Sequence, residues 1–97
     1  MEKSLKSDSW IWVIVQDPGP DEQFLGQFDE KKNEAFIPAF YQKEDAQQCL
    51  KLMSTKRGKK YEAQAIRYHE LARDAQKNGF MIFILKEDGE IAQKFNP

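Results

Sequence analysis

Ala35-Phe-Ile-Pro-Ala-Phe-Tyr-Gln-Lys-Glu-Asp-Ala-Gln-Gln-Cys-Leu-Lys-Leu-Met53 decides the fold. Its first residues, through Ile37, have the composition of a strand; Pro38 predicts the strand's end, and Phe40-Tyr41 make an aromatic corner. Behind the corner the apolar residues fall at Ala46, Cys49, Leu50 and Met53, with Gln47, Gln48 and Lys51 between them. That i, i+3, i+4, i+7 spacing puts one apolar stripe on a helix over residues 43–54. Glu44 and Asp45 in the first turn, and Lys56 and Arg57 beyond the last, complement the helix dipole, while Gln42 is a weak cap. A strand feeding an amphipathic helix buries its apolar side only against a sheet, so the flanking segments must supply one.

Trp10-Ile-Trp-Val-Ile-Val15 and Phe80-Met-Ile-Phe-Ile-Leu85 are apolar at every position, the composition of strands covered on both faces. They belong at the centre of the sheet. Asp17-Pro-Gly-Pro20 ends the first of them. Residues 23–28, 34–37, 61–66 and 90–95 read as further strands, with the alternating ones toward the edges. A second helix over residues 67–77 carries Tyr68, Leu71, Ala72 and Ala75 as its stripe and stops at Asn78-Gly79. Lys86-Glu-Asp-Gly89 is a hairpin turn.

The order β-β-β-α-β-α-β-β predicts an α+β (mixed α/β) fold. It is a two-layer sandwich in which a mixed five- or six-stranded sheet carries two helices, mainly on one face. Residues 1–9 read as a flexible tail and residues 10–97 as a single domain. Both strand–helix–strand crossovers should be right-handed. With both helices on one side, the other side would expose half of the side chains of the two apolar strands. A patch of that kind marks an interface.

Composition narrows the function. Fifteen basic residues against sixteen acidic ones give a net charge of −1, so no global field draws the chain to nucleic acid or anionic lipid. A single cysteine makes no internal disulfide and suits a reducing, cytoplasmic setting. The longest apolar runs are six residues, whereas a membrane span needs about 20.

No constellation for chemistry stands out, and the chain reads as a non-enzyme without cofactor or metal. His69 is the lone histidine, so no histidine pair can hold zinc, and one cysteine cannot complete a thiolate site. A Cys49–His69 nucleophilic pair is the sharpest alternative. Against it, Cys49 belongs to a core-facing stripe, where a free thiol behaves as a small hydrophobe. The carboxylates fall in turns and helix starts, where they serve capping and solubility.

Three groups remain as candidate surfaces. Trp10, Trp12 and Ile14 share one face of the first strand and form a candidate interaction patch. Phe36, Pro38, Phe40 and Tyr41 form a candidate ligand corner. Lys56, Arg57, Lys59 and Lys60 form a candidate anion loop; Thr55-Lys-Arg-Gly-Lys-Lys60 lacks the upstream glycine and the following Ser or Thr of a phosphate loop.

Phe36-Ile-Pro-Ala-Phe40 followed by Lys43-Glu-Asp-Ala46 resembles the strand–P-x-F–helix pattern of small SseB-like bacterial domains, and the turns at Asn78-Gly-Phe80 and Glu87-Asp-Gly89 look like those of small bacterial α/β proteins. Gln42 departs from the Thr or Ser cap expected there. The resemblance implies a bacterial, non-enzymatic accessory or interaction domain and offers no catalytic residues to carry over. The leading expectation is a non-catalytic cytoplasmic protein-interaction or regulatory module that engages a protein partner, with a homodimer through the Trp10–Trp12 face as one form. The rival is a small-ligand or nucleotide-binding domain using the 38–41 corner and the 55–60 loop. Nucleic-acid contact through that loop is the third and weakest reading.

Overall fold

The computed structural model describes residues 6–53 and 55–97. In chain order they form β1 (Trp10–Gln16), β2 (Gln23–Phe24), β3 (Gln27–Asp29), β4 (Glu34–Phe40), α1 (Lys43–Leu50), β5 (Tyr61–Arg67), α2 (Tyr68–Asn78), β6 (Met81–Leu85) and β7 (Ile91–Phe95). The seven strands found among the described residues form one mixed sheet. With its two helices this is the expected α+β class.

On one side β1 runs antiparallel to β5 along its whole length, Trp10 opposite Arg67 and Gln16 opposite Tyr61. On the other side it meets β4 only at Trp12–Phe40 and Val13–Ala39. Beyond that point the two strands part, and the chain from Gln23 to Asp29 fills the fork, β2 pairing with β1 and β3 with β4. The single strand expected over 23–28 is therefore split. Leu25, buried at the split, donates its N–H to the Ile14 carbonyl at 2.8 Å. Gly26 lies so close to Phe80 that a Cβ there would sit 3.3 Å from the ring. Beyond β4 come β6, parallel to it, and β7, antiparallel to β6. The order across the sheet is β5, β1, the filled fork, β4, β6, β7. Both wholly apolar strands are flanked on two sides, as expected, and among the described residues the margins are β5 and β7.

Pro38 does not end its strand. β4 continues to Phe40, with Pro38 opposite Phe83 of β6. The proline sits between Ala39, the last residue paired to β1, and Phe36, the first paired to β3. On that side the ladder is already open, so a missing N–H there leaves no acceptor stranded. Helix α1 is shorter than its stripe suggested. It stops at Leu50, and the N–H groups of Leu52 and Met53 bond back three residues, to Cys49 and Leu50. Helix α2 matches its expected stripe. It closes at Gly79, whose left-handed φ of 76° lets the Phe80 N–H return to the Ala75 carbonyl at 2.8 Å.

The helices lie on opposite faces. Ile11, Val13, Ile37 and Ile82 pack with Leu71 and Ala75 of α2. Ile14, Phe40, Phe83 and Leu85 pack with Ala46 and Cys49 of α1. The expectation that both helices share one face is corrected here, and strand order supplies the reason. From β4 the chain crosses over β1 to reach β5; from β5 it returns over β1 and β4 to reach β6. Two crossovers of one hand that travel in opposite directions must use opposite faces. Each face of β1 and β6 is roofed by the chain itself, and no bare apolar face remains among the described residues.

Of the tail expected over residues 1–9, residues 1–5 lie outside the described residues. Residues 6–9 extend the ladder beyond β1: Tyr68 N–H bonds Ser9 O at 2.8 Å and His69 N–H bonds Ser7 O at 2.8 Å.

Candidate functional site

The three nominated groups end up in different settings. Ile14 is fully buried under α1, Trp12 is half-buried, and Trp10, at the strand's start, keeps 58% of its surface exposed. The Arg67 guanidinium stacks 4.0 Å from the Trp10 ring and donates to the Asp8 carbonyl at 2.5 Å. The patch is thus narrower than a sheet face. It is one tryptophan at the corner of β1 and β5, with a half-covered neighbour.

The ligand corner is packed. Phe40 and Pro38 are buried, Phe36 stacks on Phe83 with ring centroids 4.3 Å apart, and the Tyr41 hydroxyl bonds the Gln93 side chain. The side chains of Phe40 and Pro38 are turned into the core. The four basic residues of the anion loop are exposed, but the loop is partly committed to Asp17. Lys59 Nζ lies 3.3 Å from that carboxylate, and the Lys60 N–H donates to it at 3.2 Å. The backbone N–H of Lys60, with Lys59 beside it, holds the Asp17 carboxyl below the ordinary carboxylate value. Cys49 and His69 do not meet. Cys49 is buried on the α1 face and His69 is exposed at the start of α2 on the other. Burial, with the Asp88 charge second, pushes the thiol above its ordinary value, the opposite of an activated nucleophile.

What the sequence did not single out is the outer rim of β5. Its hydrogen-bond parity is fixed at both ends, because Tyr68 N–H bonds Ser9 O and Asp17 N–H bonds Lys60 O. Even-numbered residues therefore face β1, and odd-numbered ones turn their N–H and C=O outward. Tyr61, Ala63, Ala65 and Arg67 form that outward row. Among the described residues β5 pairs only with β1. Exposed edges are commonly blunted by lysine, proline, a bulge or short length. β5 has none of these over its seven residues. β7, the other margin, is five residues long, shifts register against β6 between Ile84 and Leu85, and carries Lys94 over the Phe83 ring at 4.8 Å.

Two shallow grooves flank Phe80. One, of about 490 Å³, is lined by Glu22, Phe24, Asp74 and Asn78. The other, of about 550 Å³, is lined by Phe28, Glu30, Thr55 and Lys56. Neither gathers convergent polar groups around a buried centre. No cluster of potential metal ligands occurs among the described residues, and no helix among them is long and apolar enough to cross a membrane. Compared with protein-family models, with curated proteins and with solved structures, the chain matches none.

Proposed function

We propose that this chain is a non-catalytic, cytoplasmic protein-interaction module that takes its partner along the β1–β5 margin, with Trp10 as aromatic anchor. One observation carries the reading: among the described residues β5 has a partner on one side only, and its outward backbone groups lie beside an exposed tryptophan. Strand addition uses these two parts together, main-chain bonds for affinity and flanking side chains for selectivity. Tryptophan is enriched among the few residues that dominate binding energy. The resemblance of residues 36–46 to SseB-like domains, which implies an accessory or interaction role, points the same way. The interaction expected at a bare sheet face moves to the sheet's edge, because both faces are roofed.

A photo-crosslinking side chain placed at Ala65, in cells expressing the full chain, tests this. The expected result is an adduct of one defined mass at position 65, lost when Trp10→Asp is added, and none from the same group at Ala92 of β7. Adducts at both positions, or none at 65, would overturn the reading.

A further inference from the structure

We infer that the partner at this edge is a second copy of the same chain, paired β5 to β5 in antiparallel fashion about a two-fold axis at Gln64. The inference rests on the interaction reading and names its occupant.

β5 is complementary to itself in that register. Only outward residues can form the bonded pairs, and a centre at Gln64 sets Tyr61 of one chain opposite Arg67 of the other and Ala63 opposite Ala65. This register uses the whole strand. It puts no like charges directly opposite one another, since Glu62 faces Ile66. Arg67, already 4.0 Å from Trp10, then faces Tyr61 of the second chain, whose hydroxyl stays on the Lys56 N–H at 2.8 Å. The ends agree as well. The end of β5 preceded by Lys59 and Lys60 meets the end near which Asp8 and Glu70 lie exposed, and the two-fold axis repeats that match.

Helix α1 leaves room. α1 packs across β4, β1 and β5, so it lies over β1. Two copies of it would stand three strand spacings apart, about 14 Å, wider than the ~8–10 Å of packed helices. The small side chains of Ala63 and Ala65 add no obstruction between them. A closed two-fold pair would also remove the β5 edge from solution, so the association ends at two chains and does not grow into a fibre.

Gln64→Cys provides the test. At the axis, residue 64 forms a non-bonded antiparallel pair with Cα atoms about 4.5 Å apart, within the range a disulfide spans. The pair holds the two thiols at roughly millimolar effective concentration. Micromolar protein treated with oxidised glutathione should therefore give a linked dimer on the order of a thousandfold faster than the Ala92→Cys control. Ala65→Pro removes an outward N–H and should return the chain to monomer with its melting temperature little changed.

Slow linkage at 64 with a single-chain mass, alongside a Trp10-dependent adduct to a different protein at 65, overturns the second copy and leaves the interaction reading standing. A dimer sensitive to Trp10→Asp but not to Ala65→Pro overturns edge pairing. Absence of any adduct at 65 removes both.

Discussion

β5 and β7 close the same sheet with different materials. β5 follows β1 for seven residues without interruption and turns the backbone N–H and C=O groups of Ala63 and Ala65 outward. β7 is five residues long, breaks register against β6, and is pinned by side chains: Phe95 meets Tyr68 edge-on at 5.7 Å, and Lys94 lies over Phe83. One margin is held by backbone and left open; the other is held by side chains and guarded. An edge that must never find a partner is built like β7, and β5 lacks its short length, its register break and its lysine, with Arg67 at one end as its counterpart of Lys94.

The largest effect should come from proline within β5, and it should depend on parity. Gln64→Pro removes an N–H that bonds β1 and, by leaving the β1 acceptor unpaired, should cost at least about 2 kcal/mol. Ala65→Pro removes only an outward N–H and should cost under about 1 kcal/mol, as edge positions tolerate proline. Urea midpoints of the two variants, taken at concentrations dilute enough to hold the chain single, measure the contrast, and equal losses there would mean that the chain itself bonds the outer side of β5.

At β7, Phe95→Ala should cost about 2 kcal/mol, near half of what a fully buried phenylalanine loses, because Phe95 is only partly buried against the α2-face core. The same urea series reads it. Lys94→Leu should cost only about 0.5 kcal/mol through the lost contact with Phe83. It should also unguard β7, so that the Ala65→Pro, Lys94→Leu double variant associates again in light scattering.

The smallest effect concerns the turn that starts β5. The Asp17 carboxyl is held below its ordinary value of 3.8, so the stability it adds is present above that pH and is lost as pH falls through the lower, folded value. Wild type and Asp17→Asn should therefore differ in melting temperature near neutral pH and converge in acid below about 3.8. A gap that persists in acid would assign the effect to geometry at Asp17, whose φ of 52° is left-handed, and not to its charge.

Much of this frame was legible in the residues. The uninterrupted apolar runs at 10–15 and 80–85 placed β1 and β6 inside the sheet, and Tyr68, Leu71, Ala72 and Ala75 gave the buried side of α2. Pro38 ends no strand because its cost depends on whether an acceptor lies beside it, and the fork between β1 and β4 has no local signature. The division of the helices between two faces was hidden for a similar reason. It follows from strand order, which distant pairings set. At the candidate site, Trp10 announced itself by size, whereas Ala63 and Ala65 carry no chemical signal. Their role comes from the neighbour that β5 lacks, and a sequence records no such gap. The absence of lysine and proline across Tyr61–Ile66 was the one available hint.

The mass of the intact chain in solution, measured by static light scattering from micromolar to millimolar concentration, tests the central claim most directly. Edge pairing predicts a plateau at twice the 11.4 kDa of one chain, falling to a single chain in Ala65→Pro. A wild-type mass fixed at one chain throughout, or a dimer that Ala65→Pro leaves intact, would contradict it.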